Sequence, residues 1–68
     1  MQLQVEIERE QDGRWVAAVP ALPGVMTYGD TQREAIARVK SLALRVIADR
    51  IEHGEEIPPA ANAFVVPS

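Results

Sequence analysis

The run Val19-Pro20-Ala21-Leu22-Pro23-Gly24-Val25-Met26-Thr27-Tyr28-Gly29-Asp30-Thr31-Gln32-Arg33-Glu34-Ala35 carries the densest punctuation in the chain. Pro20 lacks an amide hydrogen, so it ends the ladder that runs into it. Ala21-Leu22-Pro23-Gly24 then reads as a turn with Pro-Gly at its centre. Val25 to Tyr28 is a short strand, and Gly29 permits a backbone bend after it. Thr31 with Glu34 three residues on makes a capping box, which places a helix start there.

Upstream, residues 2–9 alternate: Leu3, Val5 and Ile7 point one way, Gln2, Gln4, Glu6 and Glu8 the other. That is the period-two pattern of a strand with one buried and one wet face. Asp12-Gly13, inside Glu10 to Arg14, suits a tight hairpin that needs positive φ, and Trp15 to Val19 follows as a second strand. Downstream, Gly54 after His53 is a helix stop, and Pro58-Pro59 forces a non-helical linker. Ala63-Phe64-Val65-Val66 closes the chain as a fourth strand. The expected architecture is α+β in the order β-β-β-α-β, a mixed sheet with one long helix packed on one face. Residues 1–68 are read as a single domain.

Sixty-eight residues give a marginal core, since so short a chain buries only about 60% of its unfolded surface. Domains below roughly 70–80 residues commonly add disulfides, metals or self-association. Cysteine is absent and histidine occurs once, which excludes disulfides and thiol chemistry and leaves no His- or Cys-based metal site. Self-association or a partner chain is the remaining support. Seven basic against ten acidic residues give a net charge of −3, the wrong sign for direct nucleic-acid binding and the right one for a basic partner. No membrane span or secretory signal is visible, so a cytoplasmic protein is expected.

On a helical projection Ala35, Ile36, Val39, Leu42, Ala43, Val46 and Ile47 fill an arc of roughly 140°, enough to cover a small sheet. Ala37, Leu44, Ala48 and Ile51 form a second stripe, within about 60° of one another. Two readings stand side by side. Either a wide helix wraps the sheet edge, its alanines serving helix propensity, or Leu44, Ala48 and Ile51 are buried against another chain.

A search for catalytic groups is largely negative. Ser41 and Ser68, the only serines, lie outside any nucleophile elbow. His53 falls in the last helical turn, where it serves the helix terminus. Gly24 and Gly29 are isolated turn glycines, and Glu55-Glu56 is a solvated acidic turn. The order β-β-β-α-β is also the core order of the ribonuclease H-like fold, whose two-metal chemistry needs several converging carboxylates. Glu6 and Glu8 lie on strand one, Glu34, Asp49 and Glu52 along the helix, and the last strand holds no acid. A nuclease site cannot be assembled from that set, so no catalytic residue, metal or cofactor is expected.

At Pro20, Leu22, Pro23, Gly24, Gly29, Asp30, Thr31, Glu34 and Ala35 the chain resembles the N-terminal domain of HicB-type antitoxins, with their "P-x-L-P-G" turn and "G-D-T" helix start. The aromatic Trp15 opening strand two after Asp12-Gly13-Arg14 also fits, and the resemblance spans about residues 3–59. It implies a degraded ribonuclease H-like domain that is not an enzyme. Its implied role is to mask the active site of a HicA-type toxin, a small basic messenger-RNA ribonuclease. Ala21 and Val25 depart from the family, which often has an acid and a cysteine there. Family members usually add a C-terminal DNA-binding segment, for which a chain ending at Ser68 leaves no room; operator binding is therefore not expected. Gln4, Glu6 and Glu8 on the wet sheet face, or an exposed strand edge, are the expected toxin contacts. The alternative is an orphan homo-oligomer with no toxin, held together through Leu44, Ala48 and Ile51.

Overall fold

The computed structural model describes residues 3–59. Within them the order is β1 (Glu6–Arg9), β2 (Trp15–Ala18), β3 (Met26–Gly29) and α1 (Gln32–Glu52). The three strands form one antiparallel sheet in the order β1-β2-β3. The expected α+β arrangement of three strands followed by one long helix is therefore present. The expected fourth strand, residues 63–66, which would make the sheet mixed, lies outside the described residues.

The first reversal uses the expected Asp-Gly pair in a slightly longer loop than a two-residue hairpin. The Gly13 amide donates to the Glu10 carbonyl at 3.0 Å, and the Glu10 amide donates to the Arg14 carbonyl at 2.7 Å. Gly13 carries φ +91°, the left-handed residue that closes a three-residue loop with a bulge. Asp12 accepts the Arg14 amide at 3.1 Å and so braces the turn from inside.

The second reversal is more than a connection. The Leu22 amide donates to the Val19 carbonyl at 2.9 Å and the Val25 amide to the Leu22 carbonyl at 3.0 Å, so two turns share Leu22. Pro20 and Pro23 each hold the second position of one turn, where a fixed φ suits them. Gly24, at φ +86°, supplies the positive φ of the second. A further bond from the Val19 amide to the Val25 carbonyl, 3.1 Å, ties the ends of the loop together. The result points Leu22 inward, where it is fully buried among Ala17, Val19, Val25, Ala35, Val39, Ala43 and Ile47.

Helix α1 starts as its capping box predicts: Thr31 has extended φ and ψ, and its hydroxyl accepts the Glu34 amide at 3.1 Å. It stops at a Schellman motif. The Glu55 amide donates to the Arg50 carbonyl at 2.8 Å and the Gly54 amide to the Ile51 carbonyl at 3.2 Å, with Gly54 at φ +68°. Ala35, Val39, Ala43 and Ile47 recur every fourth residue and form the buried line of the helix. They lie on β2 and β3, while Leu3, Val5, Ile7 and Trp15 close the core from the side of β1.

Gly29 departs from its expected role. It has no positive φ, so no bend demands a glycine there. A methyl group at this position would stand 2.6 Å from the Ala35 amide nitrogen and 3.0 Å from its Cα, both immovable backbone atoms. Glycine is required because the helix backbone rests on the end of β3.

Gly29→Ala is expected to cost about 1–3 kcal/mol through this clash, and Leu22→Ala about 2–5 kcal/mol through loss of burial and the cavity left behind. Thr31→Ala should cost only about 1 kcal/mol, the worth of one cap. Urea unfolding followed by circular dichroism checks the ranking; Gly29→Ala behaving like Thr31→Ala with no change in the helix position would contradict the packing account.

Candidate functional site

With α1 on one side of the three-stranded sheet, no other described element covers the opposite side. The register pairs Glu6 with Ala18 and Glu8 with Val16, and then Val16 with Tyr28 and Ala18 with Met26. Alternation along each strand puts all six on the face turned away from the helix. Their odd-numbered neighbours Ile7, Ala17 and Thr27 face the core; the Thr27 hydroxyl donates to the Ala35 carbonyl at 3.0 Å. Val16 lies outside the core cluster yet is buried, covered by side chains beside it on the open face.

The open face is therefore graded. Gln4 just before β1, and Glu6 and Glu8 along it, are exposed, as the alternation predicts. Across the centre run Val16 and Ala18, and along β3 stand Met26, 49% exposed, and Tyr28, 41% exposed. Acid lies on one edge, apolar and aromatic surface on the other. Arg14, at the hairpin end, places its guanidinium 4.8 Å from the centroid of the Tyr28 ring while its Nε donates to Asp12 at 2.9 Å. From the opposite side the Arg38 guanidinium donates to the Tyr28 carbonyl at 2.8 Å. Tyr28 is thus held at both ring and backbone.

Pro20, Leu22, Pro23, Gly24, Gly29, Asp30, Thr31 and Glu34 do not form a chemical site. Leu22 is core, Pro20, Pro23 and Gly24 shape the loop around it, and Gly29, Thr31 and Glu34 set the helix start. Asp30 is exposed between them. Glu34 pairs with Arg38 one turn on. His53 caps the helix, its Nδ1 donating to the Asp49 carbonyl at 2.8 Å. Among the described residues no three His, Cys, Asp or Glu side chains come together to hold a metal ion. Leu44, Ala48 and Ile51 lie on the solvent side of α1, Leu44 being 68% exposed and Ile51 48%. The helix does not tuck that stripe under the sheet edge.

Met26 and Tyr28 are the surface residues that sequence reasoning missed. A signal existed, since Met26 and Tyr28 alternate with Val25 and Thr27 as Glu6 and Glu8 alternate with Val5 and Ile7. Joining the two strands on one face needs the hairpin register, which composition does not supply.

One antiparallel sheet carrying a single long helix, with structural glycines and prolines in its turns, defines a small α+β domain. The sequence profile of the HicB-like antitoxin of bacterial toxin–antitoxin systems matches residues 3–65, and the chain belongs to that family. A UPF0150 protein of Thermoplasma acidophilum is 40% identical over 58 residues, covering 85% of this chain and 84% of the relative. A UPF0150 protein of Synechocystis is 39% identical over 51 residues, covering 75% and 71%. No solved structure matches the chain at comparable significance. Among the described residues no helix is long and apolar enough to cross a membrane.

The Arg14 amide, and after it the Arg14 guanidinium, hold the Asp12 carboxyl below its ordinary value of 3.8. A folded-state pKa that is lowered means a stabilising contact present at neutral pH and lost as the pH falls through that pKa. Carboxyl NMR titration should find Asp12 protonating below 3.8, and Arg14→Ala should move its midpoint part of the way back up, because the backbone donor at residue 14 stays. An unchanged midpoint would place the shift on the backbone contact alone.

Proposed function

We propose that this chain is a non-enzymatic antitoxin domain that neutralises a small, basic ribonuclease of the HicA type by covering its active site with the open face of the sheet. The observation carrying this reading is the pairing, on one uncovered face, of the Glu6 and Glu8 carboxylates with the exposed Met26 and Tyr28. Membership of an antitoxin family supports the role. The net charge of −3 supports a basic partner. Carboxylates would steer the toxin into place, and the buried aromatic and thioether contacts would hold it, which is how polar rims and apolar centres divide the work in protein interfaces. RNA would be kept from the toxin by exclusion, with no step catalysed by this chain. A cytoplasmic setting, where messenger RNA is, belongs to this reading.

The test is co-expression with the product of the adjacent gene, which this reading expects to be a small basic protein. Growth arrest by that protein alone, relieved by this chain, is the expected result. Tyr28→Ala should weaken binding by about 2 kcal/mol, near thirtyfold, if Tyr28 is a buried anchor. Glu6→Lys with Glu8→Lys should slow association and flatten its dependence on salt. Both can be read by surface plasmon resonance. Full rescue and unchanged kinetics with all three substitutions would remove the open face from the mechanism.

A further inference from the structure

The outer side of α1 combines two patterns that point to a second copy of this chain. Ala37, Ser41, Leu44, Ala48 and Ile51 recur at alternating spacings of four and three, and all are exposed. This is the spacing of a two-helix coiled-coil seam over two heptads, with large and small residues in alternation from Ser41 to Ile51. The helix is also split by charge. Residues 32–47 carry Arg33, Arg38, Lys40 and Arg45 against Glu34 alone, whereas residues 48–56 carry Asp49, Glu52, Glu55 and Glu56 against Arg50 alone. That order runs against the helix dipole, which favours acid at the start and base at the end. Within the described chain only the Glu34–Arg38 and Asp49–His53 pairs use any of these charges in ion pairs.

We propose that two copies pair through this stripe with their helices antiparallel. In that arrangement the basic half of each helix lies along the acidic end of the other, twice over by the two-fold axis. A parallel pair would set base against base and acid against acid. Sliding the helices so that Leu44 meets Ala48 of the second copy also sets Ile51 opposite its Ser41, each large side chain facing a small one. Arg45 then lies on the same flank of the seam as Asp49 of the second copy, within two residues of its level. The shallow groove lined by Gln32, Arg33, Ile36, Ala37 and Lys40 receives its acidic Glu55-Glu56 turn. This pairing uses the helix side, so the open sheet face stays free, and the proposal stands or falls separately from the toxin reading.

The full chain in light scattering should show twice its 7.5 kDa mass at micromolar concentration. Leu44→Lys, which keeps helix propensity, should give a monomer with an unchanged circular dichroism spectrum. Arg45→Glu should weaken the dimer about tenfold, and adding Asp49→Arg should restore it. Because the chain has no cysteine, orientation can be read by oxidation. Ser41→Cys with Ile51→Cys should crosslink, whereas either change alone should not, the like positions being about 15 Å apart along the axis. A wild-type monomer would overturn the proposal. So would a dimer that survives Leu44→Lys, or crosslinking by the single cysteines. Loss of toxin inhibition by Leu44→Lys in a wild-type monomer would assign the stripe to the toxin instead and equally overturn it.

Discussion

The backbone of the first helical turn rests on the end of β3, and much of the rest follows from that contact. Gly29 leaves no room for a methyl group beneath Ala35. Around it the Thr27 hydroxyl donates to the Ala35 carbonyl, Thr31 caps the helix, and Arg38 donates to the Tyr28 carbonyl. Helix and strand are therefore joined by hydrogen bonds on both sides of a close approach. Once that corner is set, the line Ala35, Val39, Ala43 and Ile47 has one path across β2 and β3. Leu22, delivered by its double turn, fills the space that alanines on the helix leave. The small side chains at Ala17, Ala35 and Ala43 bring the layers close, and Leu22 supplies the bulk.

A single layer of helix over a single sheet has two outer surfaces, and in this chain neither is uniformly polar. The open sheet face runs from carboxylates on β1 to Met26 and Tyr28 on β3. The outer side of α1 presents Leu44 and Ile51 between opposite charges. Core size explains why both surfaces matter. A domain this short has little apolar area to bury internally, so surfaces able to bury more against other chains add stability as well as contacts.

Much of this was legible in the residues. Alternation from Leu3 to Glu8 separated wet from buried positions, and Thr31 with Glu34 located the helix start where Thr31 caps it. Gly54 located its end, because a left-handed residue after a helix is nearly always recognisable from glycine. Gly29 is legible as special, but the close approach that requires it is not. Positive φ and close approach both select glycine, and only the position of Ala35 distinguishes them. Met26 and Tyr28 were overlooked because a strand of four residues shows too few alternations to reveal which set is buried.

Local chemistry along the chain was sufficient for the three described strands, the helix and their order, since caps, turns and periodicity act between residues a few positions apart. It was also sufficient to show that the helix has more apolar surface than one sheet needs. Which apolar residues remain uncovered depended on the tertiary arrangement. Whether Leu44 wraps an edge or faces solvent, and whether Tyr28 shares a face with Glu8, depends on the axial rotation of α1 and the register of the sheet. Both are set by contacts between residues distant in the chain, through Leu22, Gly29 and Ala35, and no local pattern encodes them.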